Sequence, residues 1–134
     1  MMGLTRKGEY AIRGIIYLAK QEPGKLVLIS EIADAVDVPQ SFLAKIFQSI
    51  TRLGIVRSSR GAGGGFCLAR PAAQITLREV VEAVEGPICP NRCLIGAGTC
   101  ERSDTCNVHP VWRRVQEQVQ QVLDEVTLAE LSNP

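Results

Sequence analysis

The spacing of apolar residues along the chain predicts a mainly helical protein. In five segments apolar positions recur every three to four residues, which is the period of a helix with one buried face. The predicted helices span residues 6–20, 31–36, 40–53, 77–85 and about 19 residues from Val108. Two short apolar runs at residues 55–58 and 66–69 predict a pair of strands, and residues 26–29 are a possible further strand.

Several polar residues and glycines stand where helix caps are expected. Thr5 precedes the first helix and Ser30 precedes the second, so each side chain can accept a hydrogen bond from the first turn. Thr76 and Thr127 are each followed three residues later by Glu, which is the capping-box pattern. Gly54 is expected to end the third helix.

The second and third helices form the pattern of a helix-turn-helix. Pro39 sets the first turn of the third helix, directly after a short turn. The apolar face predicted for that helix consists of Phe42, Leu43, Ile46, Phe47, Ile50 and Leu53. The opposite face consists of Gln40, Ser41, Lys45, Gln48, Ser49 and Arg52. Such a polar and basic face favours DNA recognition, although an ordinary helical hairpin has the same periodicity.

A glycine-rich, basic segment links the two predicted strands. Residues 59–65 read SRGAGGG, so Arg60 stands beside a run that includes Gly63 and Gly64. Glycines allow backbone N–H groups to approach phosphates or a narrow minor groove, and Arg60 supplies positive charge. No Lys-Ser/Thr pair follows and no helix begins there, which excludes a nucleotide-binding P-loop. The segment therefore predicts a DNA-binding wing.

The two halves of the chain carry opposite net charges, although the whole chain is only +1. Residues 1–70 contain ten Lys or Arg and five Asp or Glu, whereas residues 71–134 contain five and nine. The front half is therefore +5 and the back half −4. A basic front half suits a polyanionic partner, which agrees with the helix-turn-helix and wing.

Hydrophobic residues make up 46% of the 134 residues, enough to form a core. No signal peptide is visible, and no stretch approaches 18 apolar residues, so we expect a cytoplasmic protein without a membrane span. Thiols stay reduced there, so five cysteines indicate metal or redox chemistry rather than disulfides. No general base is placed near a thiol by the sequence, and we expect no enzyme.

Three cysteines and a histidine follow the fourth helix. Cys93, Cys100 and Cys106 are separated by six and five residues, and His109 stands three residues after Cys106. These gaps are too wide for a zinc knuckle and suit a loop around an iron–sulfur cluster. Spacing alone leaves a structural zinc site of three Cys and one His equally open. Glu9 and Cys89 are alternative fourth ligands, while Cys67 is expected to be a buried strand residue.

The last predicted helix has a nearly heptad apolar stripe. Its members are Val108, Val111, Trp112, Val115, Val119, Val122 and Val126, with Gln and Glu between them. A second copy of the chain is the simplest partner for such a stripe, so we expect a homodimer. The alternative is that the stripe packs on its own winged domain.

Taken together, these segments resemble the IscR/NsrR/CymR family of winged helix-turn-helix transcription regulators over nearly the whole chain. The resemblance rests on the three cysteines and on residues 4–11 (LTRKGEYA), 41–47 (SFLAKIF), 53–56 (LGIV), 60–66 (RGAGGGF), 106–112 (CNVHPVW) and 127–131 (TLAEL). The glycine-rich wing and the C-x2-H-x2-W segment are its most specific parts.

This resemblance implies a homodimer that holds a 2Fe–2S cluster on Cys93, Cys100 and Cys106 and binds promoters according to the state of that cluster. IscR-like relatives use a histidine at the position of His109 as fourth ligand, and NsrR-like relatives use an acid of the partner subunit at the position of Glu9. We favour His109. The first gap is one residue longer than the usual IscR spacing, which, with Cys89, leaves room for another cluster type.

The sequence thus predicts a winged helix-turn-helix domain (1–86), a cluster-binding loop (87–107) and a dimerisation helix with a C-terminal turn (108–134). The expected function is transcription regulation of near-palindromic promoters in response to iron–sulfur status, redox state or nitric oxide. The residues expected to contact DNA are Gln40, Ser41, Lys45, Arg52, Arg57, Arg60, Gly63 and Gly64. The alternatives are a small cluster-transfer protein and a zinc-braced DNA binder that senses nothing.

Overall fold

Six α-helices and one two-stranded antiparallel sheet are present in the computed structural model, which describes residues 4–60, 64–89 and 107–133. The elements are α1 (Arg6–Ala19), α2 (Ile29–Val36), α3 (Gln40–Arg52), β1 (Val56–Ser59), β2 (Gly65–Leu68), a 3-10 turn (Ala72–Gln74), α4 (Leu77–Glu85), α5 (His109–Asp124) and α6 (Leu128–Ser132). The predicted fold class, mainly helical with a small β wing, is confirmed.

Helix α1 forms the centre of the core. Its predicted cap is confirmed, because Thr5 Oγ1 accepts a hydrogen bond from the Gly8 N–H at 3.2 Å. Ala11 and Ile15 are fully buried. A Cβ on Gly14 would lie 2.9 Å from two carbons of the Phe47 ring. Glycine at this position therefore lets α1 pack directly against α3, because a side chain there would push the aromatic ring away.

Helix α2 begins two residues before the predicted start. Leu28 is the N-cap and makes no side-chain capping bond, so the prediction that Ser30 caps this helix is wrong. The Ile32 N–H donates to the Leu28 carbonyl at 3.1 Å, which draws the first turn back to Ile29. Ile32 is fully buried, so core packing sets the beginning of this helix in place of a polar cap.

Helix α3 buries a narrower face than its sequence predicts. Four of the six apolar residues are in the core, namely Leu43, Ile46, Phe47 and Ile50. Phe42 is 43% exposed and Leu53 is 58% exposed, so their predicted burial is wrong. The six positions cover a wide arc of the helix, and the two exposed residues lie together at one edge of that arc. Gly54 follows with φ of +79°, a left-handed conformation that favours glycine and ends the helix as predicted.

Strands β1 and β2 form the predicted wing, with Val56 opposite Leu68 and Ser59 opposite Gly65. The possible strand at residues 26–29 is reduced to a single bridge, in which Val27 and Phe66 exchange backbone hydrogen bonds of 2.9 and 2.8 Å. Gly65 has φ of +146°, and a Cβ there would collide with the Val27 carbonyl. The wing is therefore joined to the α1–α2 connection through a glycine that no larger residue can replace without strain.

The C-terminal residues of the chain pack in the same core as α1. The Leu77 N–H donates to the Val126 carbonyl at 2.8 Å, and the Leu128 N–H donates to the Ile75 carbonyl at 3.0 Å. Leu128 is 1% exposed within the same core as α1. The Thr76 and Thr127 caps are confirmed, because each side chain accepts a hydrogen bond from the N–H of the Glu three residues later. The division at residues 86/87 and 107/108 stays a prediction.

Helix α5 lies against α4 with no fully buried residue. Arg78 of α4 joins the two helices, because its side chain pairs with Asp124 of α5 at 2.7 Å. Within α4, the same side chain also pairs with Glu82 at 2.9 Å. The hydrogen bond to Glu82, followed by that to Asp124, raises the pKa of Arg78 above its usual value. The contact with α4 covers part of α5 and leaves Val111, Val119 and Val122 exposed.

Candidate nucleic-acid interface and metal centre

The outer face of α3 is polar, basic and open to solvent. Gln40, Ser41, Lys45 and Arg52 are all exposed on this helix, as is Gln48. The helix contains two basic residues and no acidic residue. Its exposed face thus presents positive charge and hydrogen-bonding side chains without carboxylates that would repel phosphates.

A hydrogen bond between α1 and α2 and the turn after α2 position the beginning of α3. The Tyr17 hydroxyl of α1 donates to Glu31 Oε2 of α2 at 2.8 Å, and this hydrogen bond is the main reason that the pKa of Tyr17 is raised. Asp37 ends α2 with φ of +57°, in the left-handed region that polar residues such as Asp tolerate. Val38 is 6% exposed and anchors the turn in the core. These contacts hold the turn of the helix-turn-helix in place.

The basic residues of the wing are exposed around β1. Arg57 and Arg60 are exposed, and Arg57 Nη2 lies 3.5 Å from the sulfur of Cys67 on β2. Cys67 is 3% exposed, which confirms its predicted role as a small buried residue. Gly64 is buried, and Gly63 lies outside the described residues. Arg60 is therefore the described wing residue best placed to present charge near the glycine-rich tip.

His109 is the first residue of α5 and has two different ring nitrogens. Its Nδ1 is buried and has no hydrogen-bond partner in the described part of the chain. Its Nε2 lies 3.3 Å from Arg113 Nη2. Because arginine only donates, Nε2 is the acceptor in this contact, and the tautomer that makes it has its proton on Nδ1. Metal ligation through either nitrogen thus requires the Arg113 contact to break.

The segment before the three cysteines is attached to α5. Gln116 Nε2 donates to the Ile88 carbonyl at 2.7 Å, next to the half-buried Cys89. His109 and Gln116 lie on the same helix, about two turns apart. Residues on both sides of the cysteine segment therefore meet at α5. Cys93, Cys100 and Cys106 themselves lie outside the described residues.

The alternative ligand Glu9 lies in the first turn of α1, where it is exposed. Close to it, the Glu85 carboxylate accepts hydrogen bonds from the Thr5 hydroxyl and from the Thr5 N–H, the latter at 3.2 Å. Glu85 is the last residue of α4 and stands shortly before Cys89 in the chain. The start of α1 is therefore fixed to the end of α4.

No three His, Cys, Asp or Glu side chains meet in a metal-binding arrangement within residues 4–60, 64–89 and 107–133. The donor set of three thiols and an imidazole nonetheless fits an iron–sulfur cluster, since His109 Nδ1 is buried without a partner in those ranges and His109 follows Cys106 closely in the sequence. In the same described ranges, no helix has the length and apolar character needed to cross a membrane.

Two contacts of these sites have no signal in the sequence, namely those that Glu85 and Gln116 make. Hydrogen bonds from a side chain to a distant backbone group follow no periodicity, so only the folded arrangement shows them. The exposure of Phe42 is weakly indicated by the sequence, because Phe42 stands at the edge of the apolar arc predicted for the third helix.

Comparisons with known proteins agree with this arrangement. The family model Rrf2, described as an iron-dependent transcriptional regulator, matches residues 4–134. The transcriptional regulator IscR of Cronobacter sakazakii is 34% identical over 132 residues, which cover 98% of this chain and 81% of that protein.

Solved structures give the same result. CymR, the global cysteine regulator of B. subtilis, superposes with a TM-score of 0.80 at 28% identity, covering 98% of this chain and 97% of that one. IscR of T. potens superposes with a TM-score of 0.77 at 25% identity, covering 96% and 85%. With its helix-turn-helix, wing and IscR-like sequence, the chain belongs to the Rrf2 family of DNA-binding transcription regulators.

Proposed function

We propose that this regulator binds a 2Fe–2S cluster through Cys93, Cys100, Cys106 and His109, and that its affinity for promoters depends on the state of that cluster. The observation that carries the proposal is the buried Nδ1 of His109, which has no hydrogen-bond partner among the described residues and stands three residues after Cys106 in the sequence. A buried polar atom without a hydrogen bond costs free energy, and ligation would remove this cost. The IscR-like sequence over 98% of the chain supports the same choice.

A bound cluster would supply a group that responds to iron–sulfur status, redox state or nitric oxide. The task of the protein is to hold it by three thiolates and one weaker ligand, a set that suits reversible binding. His109 must exchange its contact with Arg113 for ligation. Glu9 remains the alternative fourth ligand, supplied by α1 of a second subunit.

A continuous set of contacts joins Ile88, which precedes the cysteines in the sequence, to the proposed DNA-binding face. Gln116 fixes Ile88 to α5, and Arg78 joins α5 to α4 through Asp124. Helix α4 in turn packs against both α1 and α3. A change in how α5 holds the segment would therefore shift α4 and the placement of α3, which is how we propose that promoter affinity is altered.

The proposed assembly is a homodimer formed along α5. Val111, Val119 and Val122 are 51%, 37% and 58% exposed, although they lie on the apolar stripe. A second α5 would cover them and would place two α3 helices in major grooves about one turn (~34 Å) apart on a near-palindrome. A monomer at micromolar concentration in sedimentation velocity would contradict this assembly.

Each DNA contact has a proposed role. Gln40, Ser41 and Lys45 reach base edges or adjoining phosphates, because they begin the exposed face of α3. Arg52 and Arg57 contact phosphates. Arg60, with Gly63, lies in or over the minor groove, whereas the predicted contact of Gly64 is not retained because Gly64 is buried.

Replacing Arg60 by Ala should weaken promoter binding and lower its salt dependence. The lost contact is electrostatic, so the slope of log K against log salt should fall by about 1. Fluorescence anisotropy over a salt series measures both quantities. Arg114→Ala, which removes an exposed charge from α5, is the matched control. An unchanged affinity and salt slope for Arg60→Ala would remove the wing from the interface.

The fourth ligand can be identified with single variants. His109→Ala should lose its visible absorption under a chelator several times faster than the wild type, whereas Glu9→Ala should retain the wild-type rate. The reason is that His109 lies on the same helix that anchors the cysteine segment through Gln116. Faster loss of visible absorption in Glu9→Ala than in His109→Ala would instead identify Glu9 as the fourth ligand.

Anaerobic purification followed by iron, sulfide and zinc analysis tests the proposal as a whole. Equal amounts of iron and sulfide in a brown protein would support it, and a Mössbauer spectrum would then test the 2Fe–2S type. One zinc per chain in a colourless protein would favour the zinc-braced DNA binder. Transfer of iron and sulfide to an acceptor protein, without sequence-selective DNA binding, would favour the cluster-transfer alternative.

A further inference from the structure

Phe42 is a large apolar residue left open to solvent on a DNA-binding helix. It is 43% exposed, while the next residue, Leu43, is fully buried. Single exposed apolar residues are common on protein surfaces, so exposure alone does not indicate a function. What distinguishes Phe42 is its place in the first turn of α3, directly after Gln40 and Ser41.

The ring of Phe42 is held in a defined orientation. It packs edge-to-face against Tyr10 of α1, with ring centroids 5.6 Å apart and an angle of 87° between the planes. Such pairs are preferred geometries for aromatic rings and restrict rotation about the side-chain bonds. Tyr10 in turn packs against the core. Phe42 is therefore an exposed but pre-ordered apolar surface, which loses little conformational freedom when it is covered.

DNA offers one apolar group in the major groove, the C5 methyl of thymine. The first residues of a recognition helix are those that contact base edges. Helix α3 carries Lys45 close to Phe42 and Arg52 at its far end, and no acidic residue, so the charge of this helix complements the phosphates on either side of the groove. The location, rigidity and chemistry of Phe42 thus match this methyl group.

We propose that Phe42 is a specificity-determining residue that contacts the C5 methyl of a thymine in each half-site of the operator. This inference rests on the proposed placement of α3 in the major groove. In this proposal Phe42 recognises an apolar group of the base, while Gln40, Ser41 and Lys45 make polar contacts. Tyr10 positions the ring and does not touch DNA.

The test requires an operator, which wild-type protein can select from random duplexes. Each thymine of the selected site is then replaced in turn by deoxyuridine, which removes only the methyl group. Wild-type binding should weaken about fourfold at one position per half-site, as expected for loss of one buried methyl. Phe42→Ala should bind the thymine duplex more weakly and show no further loss at that same position.

Two controls keep the result interpretable. Leu53→Ala removes another exposed apolar side chain, that of the C-cap of α3, and should keep the full sensitivity to deoxyuridine. Phe42→Gln, which retains helix propensity, replaces Phe42→Ala if the melting temperature shows that the latter is unfolded.

The outcomes separate this inference from the proposed function. Equal loss at the deoxyuridine position in wild type and Phe42→Ala would overturn the role of Phe42, as would a selected operator without any methyl-sensitive position. Failure of wild-type protein to select any sequence would instead overturn the placement of α3 in the major groove.

Discussion

Protein with Cys93, Cys100 and Cys106 all replaced by Ala should be colourless after anaerobic purification and should contain almost no iron or sulfide. The wild-type protein should contain both in equal amounts. The three thiolates supply most of the ligands in the proposed site, so His109 or Glu9 alone cannot retain the metal. Iron and sulfide assays with a visible spectrum measure the difference. Cys67→Ala, in which the lost thiol is buried in β2, should keep the wild-type metal content.

The same triple variant should also differ from the metal-loaded wild type in its affinity for at least one promoter. The reason is the set of contacts from Ile88 through Gln116 and α4 to α3. Anisotropy titrations of both proteins at equal salt measure this difference. Identical affinities at every promoter, with metal loading of the wild type verified, would exclude control of DNA binding by the cluster.

Phe47→Ala should destabilise the protein by about 3–5 kcal/mol, which is a large part of a typical unfolding free energy of about 5–15 kcal/mol. The Phe47 side chain is fully buried, and its ring lies edge-to-face against Phe66 with centroids 5.2 Å apart. It also fills the space opened by Gly14 on α1. Its loss leaves a cavity at the point where α1, α3 and the wing meet. Urea unfolding followed by circular dichroism measures the change.

Leu53→Ala is the control for this measurement, because Leu53 is the C-cap of the same helix and is 58% exposed. It should change the unfolding free energy by about 0.5 kcal/mol or less. A cost for Phe47→Ala below about 1 kcal/mol would show that the core closes around the smaller side chain. The contact between α1 and α3 would then be less rigid than the Gly14–Phe47 packing indicates.

Helix boundaries were predictable from the sequence where the signal was local. Thr5, Thr76 and Thr127 each cap the expected helix, since a hydroxyl and an N–H three residues later need no distant group. The beginning of α2 was not predictable in this way. Burial of Ile32 determines it, and that burial depends on α1 and α3, which the local sequence around Ser30 does not show.

The same distinction between local and distant signals applies to the candidate sites. The polar face of α3 and the exposed Arg60 followed from periodicity and composition. Gln116 and Glu85 did not, because their partners, Ile88 and Thr5, are distant in the sequence. The ligand set of Cys93, Cys100, Cys106 and His109 came from spacing and family resemblance and stays a prediction.

Because α6 packs in the core, this regulator cannot be divided into a separate DNA-binding fragment without loss of core residues. Leu128 is buried in the core that contains α1, and backbone bonds join its surroundings to Ile75 and Leu77. A fragment that stops before α5 therefore lacks part of its own hydrophobic centre. The DNA-reading part is not a detachable module, so an engineer who wished to graft it onto another sensor would have to supply α6, or a substitute for it, from elsewhere.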